Sequence, residues 1–253
     1  PFANECFLLG TDTLGRNLAA GLVHGARVSL TIGVVSTLVA LVIGVPLGAV
    51  AGYAGGFVDD ALMRFTEFFQ TIPSFALAIV IVSILQPSVA SIVLAIAIVS
   101  WPPVARLVRG EVLSIRTRDY VAAAQTRGEG PWYIMLWEIL PNARGPLIVD
   151  FCLRIGYTTI LLGTLGFFGL GLSPESPDWG STINAGRKLL TIAPHPAFVP
   201  ALALMSLVLG LNLLAGLALV TIGILFGVRT TRSGTTGACG EKAAMAVAKG
   251  AVP

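Results

Sequence analysis

The stretch "VSLTIGVVSTLVALVIGVPLGAVA", residues 28–51, runs for 24 residues without a charged side chain. The hydrocarbon core of a bilayer is about 30 Å thick, and an α-helix needs about 20 apolar residues to cross it. Val28–Ala51 is therefore predicted to be a transmembrane helix. Gly44, Pro46 and Gly48 lie close together near its end, and they predict a kink there.

Further apolar stretches follow along the chain, at Ile72–Leu85, Val89–Val108, Gly145–Leu172 and Phe198–Val228. The first of these is too short to cross a bilayer, so we expect its helix to begin earlier, within Phe57–Gln70. Ser88 is predicted to cap the helix that follows, and Pro102 and Pro103 are predicted to bend it. The predicted fold class is all-α, a polytopic transmembrane helical bundle with five spans over residues 28–228.

The composition excludes an ordinary soluble domain. The chain is 55% hydrophobic and 11% charged, with a mean hydropathy of +0.85, whereas soluble domains carry about 25% charged residues. The net charge of +3 comes without a dense basic patch interleaved with aromatics, so nucleic acid is not an expected partner and the lipid bilayer is. Cys6, Cys152 and Cys239 are widely separated without a CxxC motif, and we interpret them as incidental.

Lysine and arginine are unevenly divided between the two sides of the bundle. When the five spans are threaded through a bilayer, eleven of these residues lie on one side and four on the other, with Arg154 inside a span. The positive-inside rule places the first group in the cytoplasm. This assigns residues 105–144 to a cytoplasmic loop and residues 229–253 to a cytoplasmic tail, expected to be poorly ordered. Residues 1–27 and 173–196 then face outward, the latter with a short helix near Thr182–Leu190.

The cytoplasmic loop contains the stretch "RDYVAAAQTRGEGPWYIMLWEILPN", residues 118–142, between two apolar spans. Asp119 is predicted to cap a short helix, Tyr120–Arg127, and Gly128 suits the left-handed position that follows a helix. Pro131 is predicted to open a second helix, Trp132–Leu140, because its fixed φ suits a first helical turn, and Pro141 ends it.

The first of these two helices is too short to be stable alone, so another surface must hold it. Its small residues Ala123, Ala124 and Gly128 lie at helical spacing and would allow a close approach. Two interpretations remain open at this point. The segment is either a helical hairpin that rests on its own membrane domain or a docking element for a separate cytoplasmic protein.

Polar residues inside the spans are candidates for functional contacts. Asp150 and Arg154 lie four residues apart on one helix face, and we favour a structural ion pair over a substrate contact. Asn212 is expected to form an interhelical hydrogen bond rather than to line a pore. Outside these spans, Asp60 and Arg64 are predicted to pair on a solvated helix face. Glycines near the end of the fourth span are interpreted as helix-packing positions, at 163, 166, 169 and 171.

The loop resembles the "EAA" loop of ABC importer permeases. Ala122-Ala123-Ala124 stands where that motif has E-A-A, Gly128 matches its glycine, and Ile139-Leu140-Pro141-Asn142 matches its ending. Ala122 replaces the family's glutamate. Other stretches resemble the C-type permease subunit of dipeptide and oligopeptide importers, a type shared with nickel and glutathione importers: "GTDTLGRN" (10–17), "GARVSL" (25–30), "GVPLGAVAGYAGG" (44–56), "ARLVRGEVLSIRTRDYV" (105–121) and "GFFGLGLSPESPDWG" (166–180).

The resemblance implies a type I permease of six helices in a bacterial plasma (inner) membrane, so that one further helix is expected before residue 1. It implies a second, B-type permease subunit, two ATPase subunits that dock on residues 119–141, and an extracytoplasmic substrate-binding protein. Trp179 and Gly180 are expected to contact that binding protein. ATP and Mg²⁺ would be bound by the ATPases, with no cofactor and no catalysis in this chain. The ending "AGLALVTIGILFGVRTTRSG" (215–234) departs from the polar, Asp-containing end of the family.

The expected cargo is a dipeptide or oligopeptide, with nickel or glutathione as the alternatives. A stand-alone secondary transporter would need ion-relay carboxylates in the membrane and paired broken helices, and Asp150 is the sole carboxylate in the predicted long spans. An intramembrane enzyme would need a motif such as HExxH or GxSxG, and the sequence contains neither.

Overall fold

The computed structural model describes residues 9–12, 14–86, 88–172, 178–217 and 220–221, and these are folded into helices and connecting turns. The helices are α1 Leu18–Ala54, α2 Gly56–Thr71, α3 Ser74–Leu85, α4 Val89–Ile115, α5 Asp119–Thr126, α6 Pro131–Tyr133, α7 Arg144–Phe167, α8 Trp179–Arg187 and α9 His195–Leu217. A π-helical turn, Ile134–Ile139, continues α6. Within the described ranges, four helices are long and apolar enough to cross a membrane: α1, α4, α7 and α9.

The second predicted span is broken. We expected one helix to run from Phe57–Gln70 into Ile72–Leu85, whereas α2 and α3 meet at an angle of 79°. Pro73 is the cause, because a proline disfavours the helical conformation in the residue before it. Ile72 is accordingly extended, with φ −82° and ψ 128°. The chain therefore has four straight spans and one bent pair among its described residues.

The extensive contact between α1 and α4 depends on glycine. The helix α1 is not interrupted at Pro46 or at the neighbouring glycines. Instead, three glycines spaced four residues apart near the end of α1 each present a bare backbone to a valine of α4. A Cβ added at these glycines would lie within 2.7–2.9 Å of the valine Cβ atoms, in the pairs Gly44–Val104, Gly48–Val108 and Gly52–Val112. Small residues at this spacing let two transmembrane helices pack backbone to backbone.

The start of α4 follows the prediction. The Ser88 Oγ accepts a hydrogen bond from the Ser91 backbone N at 3.1 Å, and the Ser91 Oγ accepts one from the Ser88 N at 2.9 Å. This reciprocal capping box satisfies two backbone donors that the first turn of a helix leaves free. Pro102 and Pro103 lie inside α4, which continues past the predicted Val108 to Ile115.

The connection between α7 and α9 folds back onto α7. The short helix begins at Trp179, three residues before the predicted Thr182, because Asp178 caps it through the Ser181 N at 3.0 Å. Gly163 and Gly166 lie against Gly180 of α8, which agrees with their interpretation as packing positions. The last predicted span, Phe198–Val228, begins earlier, at His195. Its end after residue 221 and the predicted tail at 229–253 lie outside the described residues.

Candidate functional site

The loop between α4 and α7 contains the candidate coupling site, which we define as residues 119–141. Its first helix is α5, and Arg118 rather than Asp119 occupies the N-cap position without a side-chain cap. Asp119 as the cap is therefore wrong by one residue. Its carboxylate lies in the first turn, where the helix dipole favours negative charge. Gly128 has φ +83°, the left-handed conformation that the sequence predicted, and its N donates to the Gln125 carbonyl at 3.0 Å.

The second arm of the loop begins at Pro131, as predicted, but it is not a plain α-helix. From Ile134 to Ile139 the backbone is π-helical, and the Leu140 N donates to the Met135 carbonyl, five residues earlier, at 2.9 Å. Pro141 follows in a turn, so the predicted end of the helix is confirmed. π-Helical turns are rare and occur often at functional sites. The sequence carried no signal for this one.

One side of the coupling site is buried against the membrane helices. Val121 and Ala124 of α5 and Ile134 and Ile139 of the second arm belong to one hydrophobic cluster with Ala49 of α1 and the valines at 104, 108 and 112 of α4. Each of these four loop side chains is at most 1% exposed. The loop therefore rests on its own membrane domain, and Ala124 is not available to a partner.

The other side of the coupling site is open. Ala122 and Ala123 are exposed on α5, and the space beside Gly128 is empty to at least 4 Å from an added Cβ. On the second arm Trp132 and Trp137 are 65% and 70% exposed. Leu140 is half-buried and Pro141 exposed. Both open interpretations of the loop are thus compatible with the structure, because one face packs on the bundle and the opposite face is free to dock.

An ion pair joins the two arms, and a local hydrogen bond closes the end of the second arm. The Arg127 Nη2 donates to the Glu138 Oε1 at 3.2 Å, and the Asn142 Nδ2 donates to the Glu138 carbonyl at 2.6 Å. The Tyr120 hydroxyl is buried and forms no hydrogen bond with any described residue. Burial raises the pKa of Tyr120 above its usual value of 10.0. This side chain is therefore neutral at every physiological pH, and it packs against the hydrophobic cluster under the loop.

A second set of functional candidates was missed by the sequence reasoning. The Arg109 guanidinium of α4 holds Asp59 of α2 through two hydrogen bonds, Nε to Oδ1 and Nη2 to Oδ2, the latter at 2.6 Å. Seven residues further, the Arg116 Nη1 donates to the Gly52 carbonyl at 2.9 Å and to the Tyr53 carbonyl at 3.3 Å. The two arginines fasten the α1–α2 corner to α4 directly beside the coupling site.

The predicted Asp60–Arg64 pair is wrong. Arg64 instead contacts Glu67 at 3.2 Å, and both side chains are exposed. Asp59 and Thr66 are the buried residues of α2, seven residues apart and thus on one face. The sequence could have indicated that Asp59 and Thr66 share one face of α2. No local pattern could identify Arg109, 50 residues away, as the partner of Asp59.

The intramembrane polar residues have different outcomes. Arg154 and Asp150 pair through two hydrogen bonds of 3.0 and 2.8 Å, and the Arg154 Nη1 also donates to the Ser100 carbonyl at 3.2 Å. This is the geometry of the structural ion pair that we favoured. Asn212 donates to the Val208 carbonyl of its own helix at 2.9 Å and is exposed. The interhelical hydrogen bond expected of it is absent among the described residues, because α9 packs little against the rest of the chain.

Trp179 and Gly180 do not form an exposed docking surface. Trp179 is 5% exposed, and its Nε1 donates to the Leu22 carbonyl of α1 at 3.0 Å. Gly180 is buried against Gly163 and Gly166. These two residues hold α8 against the bundle, and their expected contact with a binding protein stays a prediction that this burial does not support. Asp178 beside them is fully buried, and burial raises the pKa of its carboxyl above 3.8 although Ser181 donates to it.

Within the described ranges, no three histidine, cysteine, aspartate or glutamate side chains lie close enough together to bind a metal ion. The coupling site has two short helical arms, with one face packed on the membrane helices and the opposite face exposed.

Comparison with solved structures supports the architecture. An inward-facing structure of the MetNI methionine ABC transporter matches with a TM-score of 0.69 at 18% sequence identity, covering 80% of this chain and 96% of the matched chain. A second crystal form matches with a TM-score of 0.66 at 19% identity, covering 81% and 97%. The predicted fold class, a transmembrane helical bundle of the type I ABC permease kind, is confirmed.

Curated relatives match most of the sequence. The glutathione transport system permease protein GsiD of Pectobacterium atrosepticum is 40% identical over 206 residues, which is 81% of this chain and 68% of the relative. The dipeptide transport system permease protein DppC of Haemophilus influenzae is 38% identical over 211 residues, 83% of this chain and 72% of the relative. The family model for the inner membrane component of binding-protein-dependent transport systems matches residues 44–233. The chain, a multi-pass membrane protein, therefore belongs to the family of inner membrane components of binding-protein-dependent transport systems.

Proposed function

We propose that this chain is the permease subunit of an ATP-driven importer of dipeptides or oligopeptides and forms half of a translocation pathway across a bacterial inner membrane. The relatives named for dipeptide transport support the cargo class. Glutathione is the second candidate, because a relative of 40% identity is named for it. The excess of arginine and lysine at the α5 end supports a cytoplasmic position for the coupling site.

The observation that carries this proposal is the two-sided construction of the coupling site. Its buried face shares one hydrophobic core with α1 and α4, so a displacement of α5 moves these long helices with it. Close-packed cores transmit strain rather than absorb it. Its exposed face presents Ala122, Ala123 and Gly128, whose small side chains admit a closely fitting groove. An ATPase that binds this face would displace α1 and α4 together with the loop when it changes conformation.

The energy source and the remaining parts would come from partners. The sequence contains no GxxxxGK[ST] phosphate-binding loop. We assign ATP and Mg²⁺ to two ATPase subunits that dock on the coupling site, and we assign no cofactor and no catalytic step to this chain. A second, B-type permease subunit would complete the pathway, and an extracytoplasmic binding protein would deliver the cargo.

A pair of alanine substitutions tests the proposal. Ala123 and Ala90 are both exposed helical alanines, but Ala123 lies on the coupling site and Ala90 on the opposite end of α4. Ala123→Trp should lower co-purification of the ATPases and peptide uptake by about tenfold or more, since overpacking an interface by about 1.4 kcal/mol already gives that factor. Ala90→Trp should leave both within about twofold of the unsubstituted complex.

Both variants are measured in membranes that contain equal amounts of the permease, with the complete set of subunits co-expressed. If Ala123→Trp binds the ATPases and takes up peptide as well as Ala90→Trp does, the coupling site is not where the ATPases dock. If the unsubstituted chain imports peptide without any ATPase, the chain works alone and the proposal fails.

A further inference from the structure

The break between α2 and α3 opens a notch against α4. The two helices diverge by 79°, and the space that they leave in front of α4 has a volume of about 790 Å³ and is open to the outside of the chain. Small-molecule sites usually occupy about 300–1,000 Å³. The notch, as we call it, is lined by apolar side chains and by three polar ones, Gln70, Ser74 and Arg106.

Arg106 is the charged residue of the notch. It is exposed, and no described side chain pairs with it or hydrogen-bonds to it. The other arginines within α4 and the interior of α7 behave differently, since Arg109 and Arg154 each hold a carboxylate through two hydrogen bonds. Arg106 lies nine residues before Ile115, or about 14 Å along α4 from its end. Arg106 therefore lies on α4, outside the coupling site.

The remaining walls fit a cargo of variable shape. Phe69, Ile72 and Leu107 offer apolar surface without a directional hydrogen bond, so they accept different side chains equally. The Gln70 amide both donates and accepts hydrogen bonds, and the Ser74 hydroxyl does the same, so each suits a peptide group. The notch thus combines one fixed cation with two groups that match a peptide backbone.

We propose that Arg106 binds the terminal carboxylate of the peptide cargo as it passes the notch. This inference rests on the proposed import of short peptides, which share a free carboxylate and differ in their side chains. The planar guanidinium fork matches a carboxylate with two parallel hydrogen bonds. The site would bind the terminal carboxylate that all unmodified peptides share, and its apolar walls would accept their different side chains.

The test compares two cargoes in the reconstituted complete transporter: the dipeptide Ala-Phe and Ala-Phe amide, which lacks the terminal charge. The binding protein is the same in every experiment, so its own preference cancels when variants are compared. Arg106→Gln should lower kcat/KM for Ala-Phe by about tenfold, the expected loss for a hydrogen-bonded charge. The value for the amide should stay within about twofold. Arg64→Gln, an exposed arginine outside the notch, is the matched control.

A second measurement does not depend on delivery of the amide. Ser74→Cys, placed in the full complex after the native cysteines are replaced by serine, should react with a water-soluble maleimide. Ala-Phe should slow this reaction at concentrations at least about tenfold lower than the amide does, and Arg106→Gln should remove the difference.

If Arg106→Gln lowers kcat/KM equally for Ala-Phe and its amide, Arg106 has a structural role. If kcat/KM is unchanged for both, the cargo does not contact the notch. A Ser74→Cys that reacts only with a membrane-soluble maleimide would show that lipid or another subunit fills the notch. Each result overturns the inference. Failure of the proposed function looks different, because the unsubstituted transporter would then take up neither peptide.

Discussion

Neutralising Asp59 should loosen the corner between α1 and α2 measurably. Asp59→Asn keeps the shape of the side chain but removes the charge that Arg109 holds through two hydrogen bonds. Removing one partner of a fully buried ion pair costs about 3–5 kcal/mol, and an exposed pair is worth about 0–1 kcal/mol. The Asp59 and Arg109 side chains are 11% and 32% exposed, so Arg109 regains part of its hydration. We therefore expect a loss of about 2 kcal/mol.

The neighbouring residue supplies the control. Asp60 is the same residue type on the same helix, but it is exposed and forms no ion pair with a described residue. For a chain of this length, about 1 kcal/mol corresponds to roughly 2–4 °C in the midpoint of thermal unfolding. In detergent, Asp59→Asn should lower that midpoint by about 4–8 °C, and Asp60→Asn should change it by less than about 2 °C.

A double-mutant cycle with Arg109→Gln then isolates the pair. If the two side chains stabilise the fold through each other, the double variant should lose less than the sum of the two single losses by at least about 1 kcal/mol. Strictly additive losses, or an Asp60→Asn variant as unstable as Asp59→Asn, would refute the assignment of the corner's stability to this ion pair.

Three further substitutions test other parts of the structure. Gly128→Val should lower the unfolding midpoint by several degrees, since a β-branched residue is strained at φ +83° by about 1–2 kcal/mol, and Gly128→Asn, which tolerates that conformation, should lower it less. Gly48→Ala should destabilise the fold by about 3 kcal/mol, because the added Cβ would overlap the Ala105 carbonyl. Gly21→Ala has nothing within 4 Å of its added Cβ and should stabilise the fold by up to about 1 kcal/mol. The same melting assay compares the two variants. The folded protein binds a proton at Asp178 more tightly than the unfolded chain, so its stability relative to Asp178→Asn should rise as the pH falls from the raised pKa toward 3.8; melting curves from pH 7 to pH 4 that run parallel would contradict this.

The membrane helices could be predicted because their signal is local and additive. A run such as residues 28–51 cannot be soluble whatever surrounds it, and a Ser-x-x-Ser sequence at 88–91 caps a helix through its own atoms. The same holds for Gly128 and Pro131, whose backbone preferences do not depend on distant residues.

Features that depend on distant partners could not be predicted. Asp59 pairs with Arg109, 50 positions away, whereas the local spacing indicated a pair between Asp60 and Arg64, four residues apart. Trp179 and Gly180 looked like surface residues of a polar loop, and only the folding of α8 onto α7 and α1 buries them. The break at Pro73 had a local cause, but the length that a span requires concealed it, because a length argument gives no helix direction.

The row of glycines and valines between α1 and α4 makes these two helices the part of the subunit against which movements of other helices can be measured. The two backbones are in close contact along this row, so we expect the two helices to move as one body. By contrast, 11% of the apolar window of α9 is buried within the chain, against 56% for α4. We therefore expect conformational changes of the subunit to alter the distances from α4 to α9 and to the bent α2–α3 pair. The distance between α1 and α4 should stay constant and can serve as the reference.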